Sequence, residues 1–151
     1  MAEYFVRTLK RHDEVEWRRL WAAYLSFYDS SVSEDVYSTT FSRLLSDDPS
    51  MPKAFVASVD TDENSTLLGL VHYFYHVHCW RLERVCYLQD LFADSSHRGT
   101  GIGRDLIEAV YAQADKDGAP SVYWFTQDHN SEARRLYDRI GTATSFIKYV
   151  R

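Results

Sequence analysis

His97-Arg98-Gly99-Thr100-Gly101-Ile102-Gly103-Arg104 reads HRGTGIGR, and it holds half of the chain's six glycines at alternate positions. Glycine loses more backbone freedom on folding than any other residue, so this density marks backbone that must bend where a side chain would forbid it. Just upstream, VCYLQDLFA over Val85–Ala93 has the β-branched and aromatic content of a strand. Downstream, Leu106, Ile107, Val110, Tyr111 and Ala114 recur at helical spacing over residues 103–116, and Gly118-Ala119-Pro120 stops the pattern. The glycines thus sit where a strand passes into a helix.

A helix start leaves its first N–H groups without intrahelical partners and carries partial positive charge. Bare backbone there lets an anion approach several N–H groups together. Arg98 and Arg104 add formal charge at the two ends. The turn therefore predicts a pyrophosphate cradle. A P-loop requires Lys after its last glycine, and Arg104 stands there instead. A dinucleotide fingerprint read from Gly99 and Gly101 requires a third glycine where Arg104 also stands. A tight turn with no ligand is the plain alternative.

Working outward, residues 3–9 alternate as an opening strand. After Asp13, the residues Trp17, Leu20, Trp21, Tyr24, Leu25 and Tyr28 mark an amphipathic helix. Ser33-Glu34-Asp35 starts a second helix with Val36, Phe41, Leu44 and Leu45 on its apolar side, and DDPSMP at residues 47–52 ends it. Strands follow at residues 54–59 and 67–77, around a polar hairpin loop at residues 60–65. Beyond the central helix, SVYWFT at residues 121–126 reads as a buried central strand. Asn130 or Ser131 opens a helix bearing Ala133, Leu136, Tyr137 and Ile140, with Gly141 at its end. Residues 144–150 suit a last strand. The order β-α-α-β-β-β-α-β-α-β predicts an α+β fold: one domain over residues 1–151, a mixed sheet and helices on both faces.

Composition narrows the function. The chain has 151 residues, 45% of them hydrophobic and 15% aromatic, enough for a real core, and a net charge of −5. No Lys/Arg run marks a nucleic-acid partner. The longest apolar run falls far short of the ~20 residues that span a bilayer. Two cysteines, Cys79 and Cys86, without a secretory leader pattern, predict free thiols and a cytoplasmic setting, although a hairpin between them would bring them face to face.

Arg98-x-x-Gly101-x-Gly103, following YLQDLFADSSH at residues 87–97, resembles the [RQ]-x-x-G-x-[GA] acetyl-coenzyme A motif of the GNAT N-acetyltransferases. HNSEARRLYDRIG at residues 129–141 is similar to their second signature through Asn130, Ala133, Tyr137 and Gly141. Within the family, residues 17–28 and PSVYW at 120–124 look like small yeast enzymes described as histone, polyamine and D-amino-acid acetyltransferases. Residues 87–103 also look like the diamine acetyltransferases of the spermidine/spermine type.

The resemblance implies a mostly antiparallel sheet in which Val85–Ala93 carries a bulge and splays away from its neighbour. Backbone at Leu91, Phe92 and Ala93 would pair with the pantetheine arm of acetyl-CoA. Arg98, Gly99, Thr100, Gly101, Ile102, Gly103 and Arg104 would hold the pyrophosphate, with Asn130 nearby, and no metal is required. An amine would attack the thioester directly, and Tyr137 would donate to the leaving thiolate, although Tyr137 also fits a core stripe. Asp90 is the candidate catalytic or acceptor-binding carboxylate, with fixing a loop or pairing with a nearby cation as the alternative. Gln89 stands where the diamine enzymes have Glu, and glutamine orients but cannot act as a base. Tyr28 and Glu34 are candidate acceptor contacts, aromatic and anionic as a cationic amine requires. His72, His76 and His78 share strand parity, which admits a metal, a substrate-facing row or a base.

The resulting expectation is an acetyl-CoA-dependent N-acetyltransferase acting on a small amine, polyamine or amino acid. Alternatives are a protein lysine acetyltransferase and a non-catalytic CoA-binding module. Homodimers or higher oligomers, with residues 144–150 pairing between subunits, are a family-level implication.

Overall fold

In the computed structural model, residues 3–61 and 64–151 are described. Asp62 and Glu63, at the tip of the expected polar hairpin loop, lie outside them. The elements in chain order are β1 (Phe5–Thr8), α1 (Glu14–Phe27), α2 (Glu34–Leu44), β2 (Lys53–Asp60), β3 (Ser65–His76), β4 (Val85–Ala93), α3 (Ile102–Lys116), β5 (Val122–Tyr123) and α4 (Ser131–Ile140).

The strands form one sheet in the order β1-β2-β3-β4-β5. The first three pairings are antiparallel, and β4 with β5 is parallel. Helices cover both faces. On one face α1 and α2 bury Trp17, Leu20, Trp21, Phe41 and Leu44 against Val56, Leu67, Leu70 and Phe92. On the other, α3 buries Ile102, Leu106, Ile107 and Val110 against Val71, Tyr73, Cys86 and Leu88. Fully burying a side chain of this size contributes about 1.5–3 kcal/mol.

The central strand is β3, in which every residue from 67 to 73 is buried. The expectation that residues 121–126 form the buried central strand is corrected. Only Val122 and Tyr123 join the ladder, opposite Cys86 and Tyr87, and Phe125 is exposed. The strand expected at residues 144–150 is likewise not formed, and Phe146, Ile147, Tyr149 and Val150 are exposed. The two departures are linked. With no sixth strand beside it, β5 is an edge, and an edge strand holds only the residues its single neighbour pairs.

Gly69 fixes how closely α3 approaches the sheet. A Cβ there would lie 2.7 Å from Ile102 Cγ2 and 3.0 Å from the Phe92 carbonyl oxygen. The bare backbone of β3 lets the first turn of α3 settle directly on the sheet. Cys79 is exposed and Cys86 buried, both as free thiols, and burial pushes the Cys86 thiol up to about 12. Among the described residues no helix is long and apolar enough to cross a membrane.

Candidate active site

The cleft begins where β4 and β5 part. After Tyr87 the ladder to β5 ends, while β4 stays paired to β3 as far as Ala93 opposite Gly69. Backbone groups of Leu91, Phe92 and Ala93 directed away from β3 therefore have no neighbouring strand. The expected bulge is present. The β3–β4 register slips between the pairs His72–Asp90 and Tyr73–Leu88, which leaves Gln89 as the extra residue. Gln89 is exposed and Asp90 is buried. The bulge puts Asp90 and Phe92 on the α1 face, while Cys86 and Leu88 remain in the α3 core.

Below the free stretch of β4 the glycine turn leads into α3. Gly99 has φ of 79° and Gly101 has φ of 91°, left-handed backbone that disfavours any side chain. Gly101 is the N-cap and supplies no side-chain cap. The first helical bond runs from Asp105 N–H to the Gly101 carbonyl, so the N–H groups of Ile102, Gly103 and Arg104 stand ahead of the ladder. A Cβ on Gly101 would meet nothing nearer than Tyr4 Oη at 3.8 Å, so the cradle is open. Thr100 Oγ1 donates to the His97 carbonyl at 2.5 Å and holds the turn.

The arginines differ. Arg104 pairs with Glu108 one turn along α3 at 2.9 Å. The Arg98 guanidinium lies 5.9 Å from the Phe27 ring centroid and 5.5 Å from that of Phe92, and Arg98 has no carboxylate partner among the described residues. Free N–H groups, left-handed glycines and an arginine whose only hydrogen bond among the described residues is to the Ala93 carbonyl at 3.4 Å fit the diphosphate of acetyl-CoA, and the edge of β4 left without a strand fits its amide-bearing arm.

On the α1 side, side chains replace backbone. Trp21 Nε1–H donates to Asp90 Oδ2 at 3.3 Å, and His72 Nδ1 lies 2.8 Å from the same oxygen. Trp17 Nε1–H donates to His72 Nε2 at 3.0 Å. Tyr24 and Tyr28 come next along α1, with ring centroids 5.2 Å apart. Burial and the nearby Asp90 carboxylate hold both phenols above their ordinary value. Tyr137 faces the same cluster from α4. Burial, reinforced by the neighbouring Tyr28 phenol, pushes it up to about 12. Trp124 packs edge-on against the Tyr137 ring at 5.5 Å and also explains Gly141, where a Cβ would meet the indole at 2.9 Å.

The remaining candidates lie outside this group. Asn130 is the N-cap of α4 without capping it, and its Nδ2 donates to Thr126 Oγ1 at 3.4 Å. Glu34 is tied to Arg18 at 2.9 Å on the exposed surface of α1 and α2. His76 lies 2.8 Å from the Tyr123 hydroxyl, and His78 falls beyond β3. Among the described residues no three His, Cys, Asp or Glu side chains converge as metal ligands. In the sequence Asp90 and His72 stand apart, and the spacing of Trp17, Trp21 and Tyr24 marks only the apolar face of a helix. The available signal was a pair of indoles one helical turn apart, each carrying a donor that burial obliges to find an acceptor.

A splayed parallel strand pair, a bulge opposite the gap and a glycine-lined helix start define an acyl-CoA-binding acetyltransferase. Comparison with known proteins agrees. The model of the acetyltransferase (GNAT) family matches residues 15–142. The D-amino-acid N-acetyltransferase HPA3 of Saccharomyces cerevisiae is 36% identical over 146 residues, 97% of this chain and 89% of that protein. The L-ornithine N5-acetyltransferase NATA1 of Arabidopsis thaliana is 32% identical over 73 residues, 48% of this chain and 32% of that protein. Among solved structures, AAC(6')-Iy in complex with a CoA bisubstrate analogue superposes with a TM-score of 0.83 at 18% identity, covering 99% of this chain and 98% of that one. The chain belongs to the GNAT family of acetyltransferases. It is an N-acetyltransferase that uses acetyl-CoA.

Proposed function

We propose that this chain, as a single catalytic domain, acetylates the primary amine of a small cationic molecule, with an amino acid or polyamine as the acceptor. The observation that carries this reading is the Asp90 carboxylate. It is 9% exposed, sits beside the free edge of β4, and among the described residues it meets Trp21 and His72 but no Lys or Arg. A buried carboxylate without a cation is costly, and an ammonium group supplies what it lacks. Tyr24 and Tyr28 add aromatic faces suited to the same charge. The similarity to a D-amino-acid N-acetyltransferase over nearly the whole chain supports the amino-acid end of the range.

Acetyl-CoA supplies a thioester-activated acetyl group. Backbone at Leu91, Phe92 and Ala93 and at residues 98–104 binds and orients it. Asp90 takes the hydrogen bond of the acceptor ammonium, whose ordinary pKa of ~10.4 requires one proton to pass to solvent before the free amine attacks. The second proton, lost from nitrogen as the amide forms and the C–S bond breaks, balances the one Tyr137 gives the thiolate. Tyr137, protonated at neutral pH like any tyrosine and pushed up to about 12 by burial, keeps its O–H for the departing sulfur. Tyr28 completes the wall of the acceptor site, and Gln89 at the bulge borders it.

The exposed apolar tail and the single-sided β5 support a homodimer joined along this edge. Unpaired thiols support a cytoplasmic setting. A free-thiol release assay with acetyl-CoA and a panel of D- and L-amino acids, polyamines, aminoglycosides and a lysine peptide tests the acceptor. Turnover confined to small cationic amines is expected, and turnover confined to the peptide would refute it. A monomeric mass by light scattering would refute the dimer.

A further inference from the structure

Trp17 and Trp21 lie one turn apart on α1, with rings stacked at 5.1 Å, so their indole N–H groups point the same way onto the sheet. An indole nitrogen can only donate. The 3.0 Å contact from Trp17 Nε1 to His72 Nε2 therefore requires an unprotonated Nε2. The proton of the neutral ring then sits on Nδ1, 2.8 Å from Asp90 Oδ2, where it donates to the carboxylate. An imidazolium would set two N–H groups against each other at Nε2. Trp17 is 0% exposed and His72 4%, so water does not relieve that clash. Both ring nitrogens are committed, and His72 has no lone pair left with which to act as a base.

We propose that His72 is a positioning residue: locked by Trp17 as its Nδ1–H tautomer, it fixes the Asp90 carboxylate at the cleft to receive the acceptor ammonium. Trp21 donates to the same Oδ2 from the next turn. Two rigid donors on one oxygen, carried by two elements, set the carboxylate plane more tightly than the aspartate rotamer alone. The β4 bulge is part of the device. It brings Asp90 opposite His72 on the α1 face, whereas an unbroken ladder would present Gln89 there. This inference rests on the acceptor reading of Asp90 given above.

The test has two independent arms. In the first, long-range 15N correlation spectra of the wild-type protein report which His72 nitrogen carries the proton. A proton on Nδ1 and none on Nε2 at neutral pH is expected. A proton on Nε2, or on both nitrogens, overturns the proposal. In the second arm, steady-state kinetics are compared for wild type, His72→Phe and His72→Asn. Phenylalanine removes the donor to Asp90, and asparagine keeps an N–H near the Nδ1 position. His72→Phe is expected to raise the amine KM roughly 10–100-fold, the usual range for loss of a group that orients a functional ligand, with the acetyl-CoA KM unchanged. His72→Asn is expected to recover most of that loss. An amine KM within about twofold of wild type in both variants, or equal losses in both, overturns the proposal. A wild-type protein that turns over no amine would defeat the acceptor reading instead, and the spectrum would then decide the tautomer by itself.

Discussion

On the α3 side of the cleft the proposed acetyl-CoA contacts are mainly backbone, with Arg98 and Arg104 beside them: N–H groups ahead of the helix, the free edge of β4 and two glycines in left-handed conformation. On the α1 side they are side chains: an aspartate, a histidine, two indoles and three phenols, drawn from α1, β3, β4 and α4. The difference bears on specificity. Backbone is nearly insensitive to residue type, so one cradle serves any acyl-CoA enzyme of this fold. A side-chain cluster changes with each substitution, so under the proposed function the choice of acceptor falls there. The two sides should therefore fail separately under mutation.

The sharpest way to break this division is Gly101→Glu. The fold has room for a Cβ, but a carboxylate at the helix start repels the diphosphate, and the φ of 91° adds strain of about 1–3 kcal/mol. Acetyl-CoA affinity should fall at least ~100-fold by calorimetry, as expected when like charges are juxtaposed at a binding site. Circular dichroism checks that the fold persists. Retained affinity would remove the cradle from the account.

Tyr137→Phe comes next. Loss of a proton donor costs about 10²–10⁴-fold in rate, so kcat should fall within that range while acetyl-CoA affinity stays the same. The pH dependence follows from the raised Tyr137 value. Its proton is present in folded and unfolded chains below about 10, the ordinary tyrosine value, and is retained only by the folded chain from there to about 12. Tyr137 therefore favours the native state below that window and loses this contribution as pH rises through it. The alkaline unfolding of Tyr137→Phe, followed by fluorescence, should accordingly be less steep.

A smaller and more selective effect belongs to Asp90→Asn, which keeps the shape and removes the charge. The amine KM should rise about tenfold, the scale of one charge-assisted hydrogen bond, with the acetyl-CoA KM unmoved. Gly69→Ala acts on the packing beneath the cradle and is read as stability. With Ile102 Cγ2 only 2.7 Å from the new Cβ, α3 must shift, and thermal melts should show a loss of about 1–3 kcal/mol. Glu34→Gln gives the smallest effect. Its partner is Arg18 on the surface, and the amine KM should stay within about twofold, the range of an exposed pair. A larger rise would place Glu34 at the acceptor.

The two sides also differ in how far they could be read before folding. The cradle is local: three glycines and two arginines within eight residues carry its geometry and charge. Helix and strand periods place the four α-helices and the first four strands for the same reason. The acceptor cluster is non-local. Asp90 meets His72 across a hairpin and a bulge, and the bulge decides which of Gln89 and Asp90 turns inward. Period-two counting cannot supply a one-residue insertion. Residues 144–150 alternate as a strand should, yet alternation does not provide a partner, and within one chain they stay unpaired. Trp17 and Trp21 are core residues, as their spacing indicates, but a buried indole also needs an acceptor, and periodicity is blind to that need.

Calorimetric titration of acetyl-CoA into wild type, Asp90→Asn and Gly101→Glu, under one set of conditions, tests the separation most directly. The account predicts equal affinity for wild type and Asp90→Asn, and no measurable binding to Gly101→Glu. Weakened binding in Asp90→Asn together with intact binding in Gly101→Glu would contradict it.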